Sequence, residues 1–369
     1  MMESRLGWGA LVVAAAGGHL VYPAFLYVAS RGRASSPPPD PAPWPPVSVV
    51  IPAYREVGVI AQKVWQLRRS GYPGPLEIIA VADDDEATAA AARESGAVVL
   101  SAADRRGKAQ AINAGVAAAQ HEIIVLTDAN NELLPGSLEA MIRWFGDPAV
   151  TAVAGEKVES DEKEELYWRF ESWLKVREAT LGTTIGLVGE LAAVRASSWQ
   201  PIPAGIGTDD LWIALDMAER GGVVAYEPGA RAVDPSAGSL LAQWERRTRS
   251  VSGAMNVFRS RPHLLGPSGG LVAVEIWGHR LWRYTFGPIA HVIVLAGAGR
   301  RARRSRVARA VLAAHVAAAV SLPLQQRGRS VPLPLRAAGQ GLFLHAVALG
   351  GLVRYVRGER GIIWPTVDR

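Results

Sequence analysis

The chain has 369 residues, no cysteine and a hydrophobic fraction of 49 %. It is too apolar and too varied for a disordered or fibrous chain. The missing cysteine excludes a disulfide framework, thiolate zinc sites, iron-sulfur clusters and a cysteine nucleophile, and the seven histidines show no metal-ligand spacing. The net charge of +6 is unevenly placed, since from Arg246 onward arginines accumulate and acids almost vanish. Long apolar runs occupy the same third, a pattern of arginines facing anionic lipid headgroups. Nucleic acid is not expected as a partner, because it favours basic residues interleaved with aromatics on a polar module.

Leu6 to Ser30 carries no formal charge and is long enough to span a bilayer, which takes about 20 helical residues. A cleaved signal peptide fits less well, its apolar core being roughly 7 to 15 residues. Arg31 and Arg33 outweigh Arg5, so the N-terminus is expected outside and the following segment in the cytoplasm, at the plasma or inner membrane. Residues 1–34 form this segment, and the proline-rich stretch 35–46 reads as a stiff linker.

From Val47 strands and helices alternate. Val47 to Pro52, Leu76 to Val81, Ala97 to Leu100 and Glu122 to Thr127 read as extended; Val57 to Arg69, Ala87 to Glu94 and Lys108 to Ala119 read as helical. That alternation predicts an α/β fold with a mainly parallel sheet and helices on both faces. Ligands of such sheets bind beyond the carboxyl ends of the strands. Pro52, Ala53, Tyr54, Arg55 and Glu56 follow the first strand, Asp83, Asp84 and Asp85 the second, and Asp128, Ala129, Asn130 and Asn131 the fourth. Pro52 stands where a dinucleotide-binding fold turns on glycine, which counts against a nicotinamide dehydrogenase and a P-loop enzyme. Acidic strand ends suit hydrogen bonds to a base or ribose, and a hard Mg²⁺ or Mn²⁺ held against a diphosphate.

These residues resemble those of the membrane-associated family 2 glycosyltransferases, inverting enzymes of GT-A fold that include cellulose, chitin and hyaluronan synthases. Val49-Val50-Ile51-Pro52-Ala53-Tyr54-Arg55-Glu56 is similar to the opening strand, and Glu77 to Asp83 to the strand whose acid holds uracil. Arg106-Gly107-Lys108 through Asn113-Ala114-Gly115 resembles a basic-glycine-lysine helix start. Leu126-Thr127-Asp128-Ala129-Asn130 resembles the metal-binding DxD motif with Asn130 for the second acid, and Thr208-Asp209-Asp210 the motif of the catalytic base. Gln243-Trp244-Glu245-Arg246-Arg247 falls where processive members carry QxxRW, with Arg247 in place of tryptophan.

The resemblance implies that a nucleotide sugar, a UDP-sugar by the uracil motif, donates to a glycan or lipid-linked acceptor at the cytoplasmic membrane face, as in polysaccharide synthesis. Asp128 and Asn130 are then the metal ligands, against a bland reading of Asp128 as a turn cap. Asp210, ahead of Asp209, takes the proton of the acceptor hydroxyl, unless it only caps the Leu211 to Glu219 helix. Pro52, Ala53, Tyr54, Glu56, Asp83 or Asp84, and Lys108 hold the nucleotide sugar. Arg246 stabilises the diphosphate leaving group, and Gln243, Arg247, Arg249 and Glu190 belong to the acceptor and leaving-group region, with placement beside headgroups as the plain alternative for the arginines. Arg247 puts polymer synthesis in doubt, and transfer of one sugar to a polyprenyl or glycolipid acceptor is the competing reading. A nucleotidyltransferase would share the acidic strand ends yet need no Asp210-like base, and a membrane scaffold would need no metal.

Glu156 to Glu171 is a charge run, ordinarily a solvated helix face, but Tyr167, Trp168, Phe170 and, just beyond, Trp173 interleave aromatics that suit core packing or the border of an acceptor; Gly186 to Arg195 reads as a strand. The GT-A domain is expected over 47–260, with membrane or interfacial helices and a basic tail over 261–369. Tyr284 to Gly299, Ala310 to Gln326 and Ala337 to Val353 are the uncharged runs there, and the arginines of 300–309 between the first two break the positive-inside rule if the first simply crosses outward. A re-entrant or interfacial first run, followed by a hairpin, restores it; the alternative is that packing against the catalytic domain overrides the charge count and the rule fails here.

Overall fold

The computed structural model describes residues 2–102, 104–159, 165–234 and 239–359. The chain opens with α1 (Met2–Ala29), and then β1 (Val47–Ala53), α2 (Ile60–Arg68), β2 (Leu76–Asp83), α3 (Glu86–Glu94), β3 (Val98–Ala102), α4 (Lys108–Ala118) and β4 (Ile123–Thr127) reproduce the expected alternation. Next come β5 (Glu132–Leu133), α5 (Ser137–Ile142), β6 (Val150–Glu159), α6 (Glu165–Leu181), β7 (Leu191–Arg195), α7 (Asp209–Glu219) and β8 (Val223–Asp234). The last stretch is helical: α8 (Leu240–Ser260), α9 (Gly270–Glu275), a π-helical turn (Ile276–Leu281), α10 (Trp282–Tyr284), α11 (Phe286–Arg301), α12 (Arg306–Gln326) and α13 (Leu333–Val356). Two compact units result, Ser30–Ser236 and a helical unit of Met1–Ala29 with Ala237–Arg360.

The first unit is built on one eight-stranded sheet of order β3-β2-β1-β4-β7-β6-β8-β5. β3, β2, β1 and β4 run parallel, β7 antiparallel to both β4 and β6, and β6 parallel to β8. Every residue of β1 is buried, as expected of a parallel strand covered on both faces, so its sequence is a continuous apolar run with no alternation. Its one polar side chain, Ser48, donates to Glu77 Oε2 at 2.5 Å. Gly115 lets α4 lie close on β1, for a Cβ there would come within 2.3 Å of Val50 Cγ1. The proline-rich stretch is no mere spacer: Tyr72 donates to the Pro45 carbonyl at 2.6 Å and its ring meets Trp44.

Two expectations change here. Gly186 to Glu190 is not strand; only Leu191–Arg195 is, because pairing with β4 begins at Thr127↔Leu191. The charge run is not a solvated helix face either. Its start lies in β6, residues 160–164 fall outside the described residues, and Lys157 and Glu171 are buried, as are Lys175 and Glu178 just beyond the run. Ion pairs explain this, with Lys157 held by Glu190 and Asp234, and Lys175 lying 3.8 Å from Glu156.

In the helical unit the contacts are lined with glycine. A Cβ on Gly17 would lie 2.5 Å from the Trp282 ring, one on Gly18 2.5 Å from Arg283, and one on Gly278 2.0 Å from Tyr22. Gly350 and Gly351 likewise bring α13 against Trp244, Thr248 and Val251 of α8, so α8 belongs with the helices and the sheet domain ends before the expected residue 260. Close approach through small residues is how helices pack when apolar side chains are needed on the outside, and Phe25, Phe286, Ile293, Val316 and Val320 are indeed exposed. The three uncharged runs fall on α11, α12 and α13. Among the described residues one helix, α12, is long and apolar enough to cross a membrane, and Val13–Ala29 is a shorter apolar stretch. The tail beyond 359, with Arg360, lies outside the described residues.

Candidate active site

The carboxyl ends of β1 and β4 and the start of α7 border a cleft lined by Pro52, Lys108, Asp128, Gly189, Asp209 and Asp210 among others. The sheet order puts β1 beside β4, so residues 76 positions apart in the chain, Pro52 and Asp128, share one edge. Lys108 stands at the centre, its Nζ 2.7 Å from Asp128 Oδ1 and 3.7 Å from Asp209 Oδ2. Burial alone would lower its pKa, but Asp128 and Asp209 reverse that and hold it above the ordinary lysine range, so the ammonium persists at neutral pH. Gly189 makes room for it, since a Cβ there would lie 3.3 Å from Nζ.

Asp210 opens the first turn of α7 and its Oδ1 accepts the Leu211 N–H at 2.8 Å. The preceding loop is clamped to α4, because Asn113 donates to the Ile202 carbonyl at 2.8 Å and accepts the Ile202 N–H at 2.9 Å.

The three consecutive aspartates divide their roles. Asp83 is buried, and its two carboxylate oxygens accept the Arg106 and Gly107 N–H groups at 2.8 Å each. It therefore fixes the loop before α4 while keeping lone pairs with which it could also meet a base. Asp85 caps α3 through the Thr88 N–H and also accepts the Arg55 N–H at 2.6 Å. Asp84 is exposed at the sheet edge with φ of 57°, as Arg55 is with 56°. Such left-handed non-glycine residues concentrate at ligand sites. Tyr54 carries the Arg105 guanidinium over its ring at 4.1 Å. Glu56 donates its backbone N–H to Thr88 Oγ1 at 3.0 Å, and Ala53 is core.

Glu190 lies next to the β4–β7 register, opposite Asp128. Its carbonyl accepts Thr127 Oγ1 at 2.9 Å and Asn131 Nδ2 at 2.7 Å, and its carboxylate pairs with Lys157. Asn130 is half-buried beside them. The structure does not bring Gln243, Arg246, Arg247 or Arg249 into the cleft lining; they stand on α8 of the helical unit, with Gln243 buried there.

Two lysines escape a motif search. Lys157 sits inside the charge run. Lys63 donates to Asn131 Oδ1 at 2.6 Å and to the Asn131 carbonyl at 3.1 Å, and so braces the turn that carries Asp128. A signal for it exists, because Ile60, Val64 and Leu67 place Lys63 on the apolar face of α2. Burial drives its pKa down to about 7 against the pull of Asp128 and Glu132. Between pH 7 and 10 the unfolded chain then holds a proton that the folded one does not. Stability of this unit should rise with pH by about 1.4 kcal/mol per unit in that window, read from global exchange of β4 amides, and Lys63→Met should flatten the slope. An equal slope in the variant would contradict it.

Residues 48–193 match the model of glycosyl transferase family 2. The chain carries a family 2 glycosyltransferase domain. The match ends just inside β7 and spans Lys108 and Asp128 of the cleft. No curated protein matches the sequence. Among solved structures, the mannosyltransferase PcManGT from Pyrobaculum calidifontis, in complex with GDP-Man and Mn²⁺, is 23 % identical with a TM-score of 0.78, covering 95 % of this chain and 98 % of that one. Mannosyl-3-phosphoglycerate synthase from Rubrobacter xylanophilus is 17 % identical with a TM-score of 0.49, covering 65 % and 85 %. Glucosyl-3-phosphoglycerate synthase from Mycobacterium tuberculosis, in complex with Mn²⁺, UDP and glucosyl-3-phosphoglycerate, is 20 % identical with a TM-score of 0.37, covering 57 % and 72 %. The α/β GT-A fold expected of the sequence is the fold observed, and the family 2 domain makes the chain a glycosyltransferase.

Proposed function

We propose that this glycosyltransferase moves a sugar from a nucleoside-diphosphate sugar to a hydroxyl of a glycan or lipid-linked acceptor, with inversion, at a membrane surface. The observation that carries the reading is the meeting of Lys108, Asp128, Asp209 and Asp210 in one cleft at the strand ends. Asp210 takes the proton of the attacking hydroxyl. Lys108 faces the diphosphate oxygens as a point charge, its ammonium secured by two carboxylates. Asp209 leans toward Lys108 and so orients it. The donor set is all oxygen, a half-buried carboxylate of Asp128 and the side-chain carbonyl of Asn130, which suits hard Mg²⁺ or Mn²⁺ with further ligands from phosphate. Such an ion, held by Asp128 and Asn130, supplies charge stabilisation to the leaving diphosphate.

The likeness to a mannosyltransferase bound to GDP-Man and Mn²⁺ supports the nucleotide sugar and the metal. The base contact falls to Asp83 or to exposed Asp84 beside it, with Tyr54 and Arg105 as the stacking pair. Membrane attachment is supported by α12, by the exposed apolar residues of α1 and α11, and by the arginines of 300–309. On this reading the sheet unit faces the cytoplasm. Arg247, in place of the tryptophan of processive enzymes, favours one transfer per acceptor over polymerisation. Membranes bearing the protein, given labelled UDP- and GDP-sugars with Mn²⁺, should yield a lipid-soluble labelled product that EDTA suppresses. No transfer from any of these sugars, with pyrophosphate released from labelled NTPs in a parallel incubation, would reverse the assignment.

A further inference from the structure

The seven histidines stand far apart in the sequence, yet the fold gathers four of them in the helical unit: His19 of α1, His291 of α11, His315 of α12 and His345 of α13. His291 is the middle one. Its Nε2 lies 2.9 Å from Nε2 of His315 and its Nδ1 lies 2.5 Å from Nδ1 of His345. His19 meets the edge of His345, with ring centroids 5.5 Å apart.

The protons can be placed from one end. His315 Nδ1 is 2.7 Å from the Val311 carbonyl, and a carbonyl only accepts, so Nδ1 carries the hydrogen. In the neutral ring Nε2 is then a lone pair, which receives N–H from His291 Nε2. His291 Nδ1 thereby becomes an acceptor, and His345 must offer it Nδ1–H. The chain ends at His345 Nε2, a lone pair that is buried and has no hydrogen-bond partner among the described residues.

Metal chemistry does not fit this arrangement. His291 commits its two nitrogens to neighbours on opposite sides, and among the described residues no three histidine, aspartate or glutamate side chains are set to hold an ion. Arg283 of α10 also places a guanidinium beside His345. The neutral chain keeps both ring-to-ring hydrogen bonds, whereas an extra proton on His291 Nδ1 sets N–H against N–H across the 2.5 Å contact with His345, and one on His345 Nε2 is a buried charge with no acceptor among the described residues. His19 from α1 and Arg283 from α10 face the chain and offer no negative charge to offset it. From α8, Glu245 meets α13 at Arg354, about two and a half turns beyond His345.

We propose that the His315–His291–His345 chain is a pH latch, which ties α11, α12 and α13 together while its rings are neutral and releases them when it takes up a proton. A solvated histidine titrates near 6.5, so protons are bound on opening. The latch is then at full strength above about pH 6.5, and the closed-to-open ratio falls about tenfold per pH unit below it for each proton taken up.

Hydrogen exchange of the full chain at pH 7.5 and 5.5, corrected for intrinsic rates, tests this. The open fraction of α11–α13 peptides should rise about tenfold or more at pH 5.5, while β1 and β4 peptides keep their protection. His291→Leu and, separately, His315→Leu should lose the response. Equal protection of α11–α13 at both pH values, a response surviving in both variants, or strong protection on adding Zn²⁺ would each overturn the latch. If the variants fail to fold, imidazole ¹⁵N shifts of the unaltered protein at pH 7.5 decide: Nδ1–H on His315 and His345 with Nε2–H on His291 is required, and any other tautomer set refutes the chain.

Discussion

Asp210→Asn should lower kcat by about 10² to 10⁴ while leaving donor binding within about twofold. The amide keeps the side chain's size and its acceptor for the Leu211 N–H, so the first turn of α7 should stay intact and only the proton acceptor is lost. Asp209→Asn should behave differently. Asp209 pairs with Lys108 at 3.7 Å, and its loss loosens the ammonium that faces the diphosphate, so the donor KM should rise with a smaller change in kcat. Steady-state kinetics on both variants with one donor and a soluble acceptor analogue separate the two. If Asp209→Asn takes the larger kcat loss, the base is Asp209; if neither loses more than threefold, neither aspartate is the base.

The sequence made the left half of the sheet legible because each parallel strand there is buried on both faces and each loop after it carries polar residues. β1, β2 and β4 begin within two residues of where apolar runs placed them. What the sequence could not show was which acids are committed to the fold. Asp83, Asp84 and Asp85 are identical in type and adjacent, and only the backbone N–H groups of Arg106 and Gly107 reveal that Asp83 fixes a loop. The histidine cluster was invisible for a related reason, since four separate helices supply it and no spacing links residues 19, 291, 315 and 345. The charge run misled because period and polarity cannot tell a solvated face from buried ion pairs. Its first residues continue β6 into the sheet, where partners on β8 and beside β7 await Lys157.

Lys157→Met should destabilise the sheet unit by about 3 to 5 kcal/mol, the loss expected when one member of a buried ion pair is removed and the other charge stays behind. Lys157 is 2 % exposed, and its Nζ is shared between Glu190 and Asp234 with the Trp168 ring 5.2 Å away. Two carboxylates would be left facing each other across a methionine. The penalty is electrostatic rather than steric, so Lys157→Met combined with Glu190→Gln and Asp234→Asn should recover most of it, whereas Lys157→Arg should not, having no space for a planar fork. Exchange protection of β6 and β8 amides measures the stability of this unit directly. A loss below about 1 kcal/mol in the single variant, or no recovery in the triple one, would mean that the ion pairs do not hold this region. Because the Glu190 carbonyl also anchors Thr127 and Asn131, the single variant should disturb the Asp128 turn as well. Donor KM should therefore rise in Lys157→Met and return in the triple variant together with stability, coupling the buried lysine to the cleft it never enters.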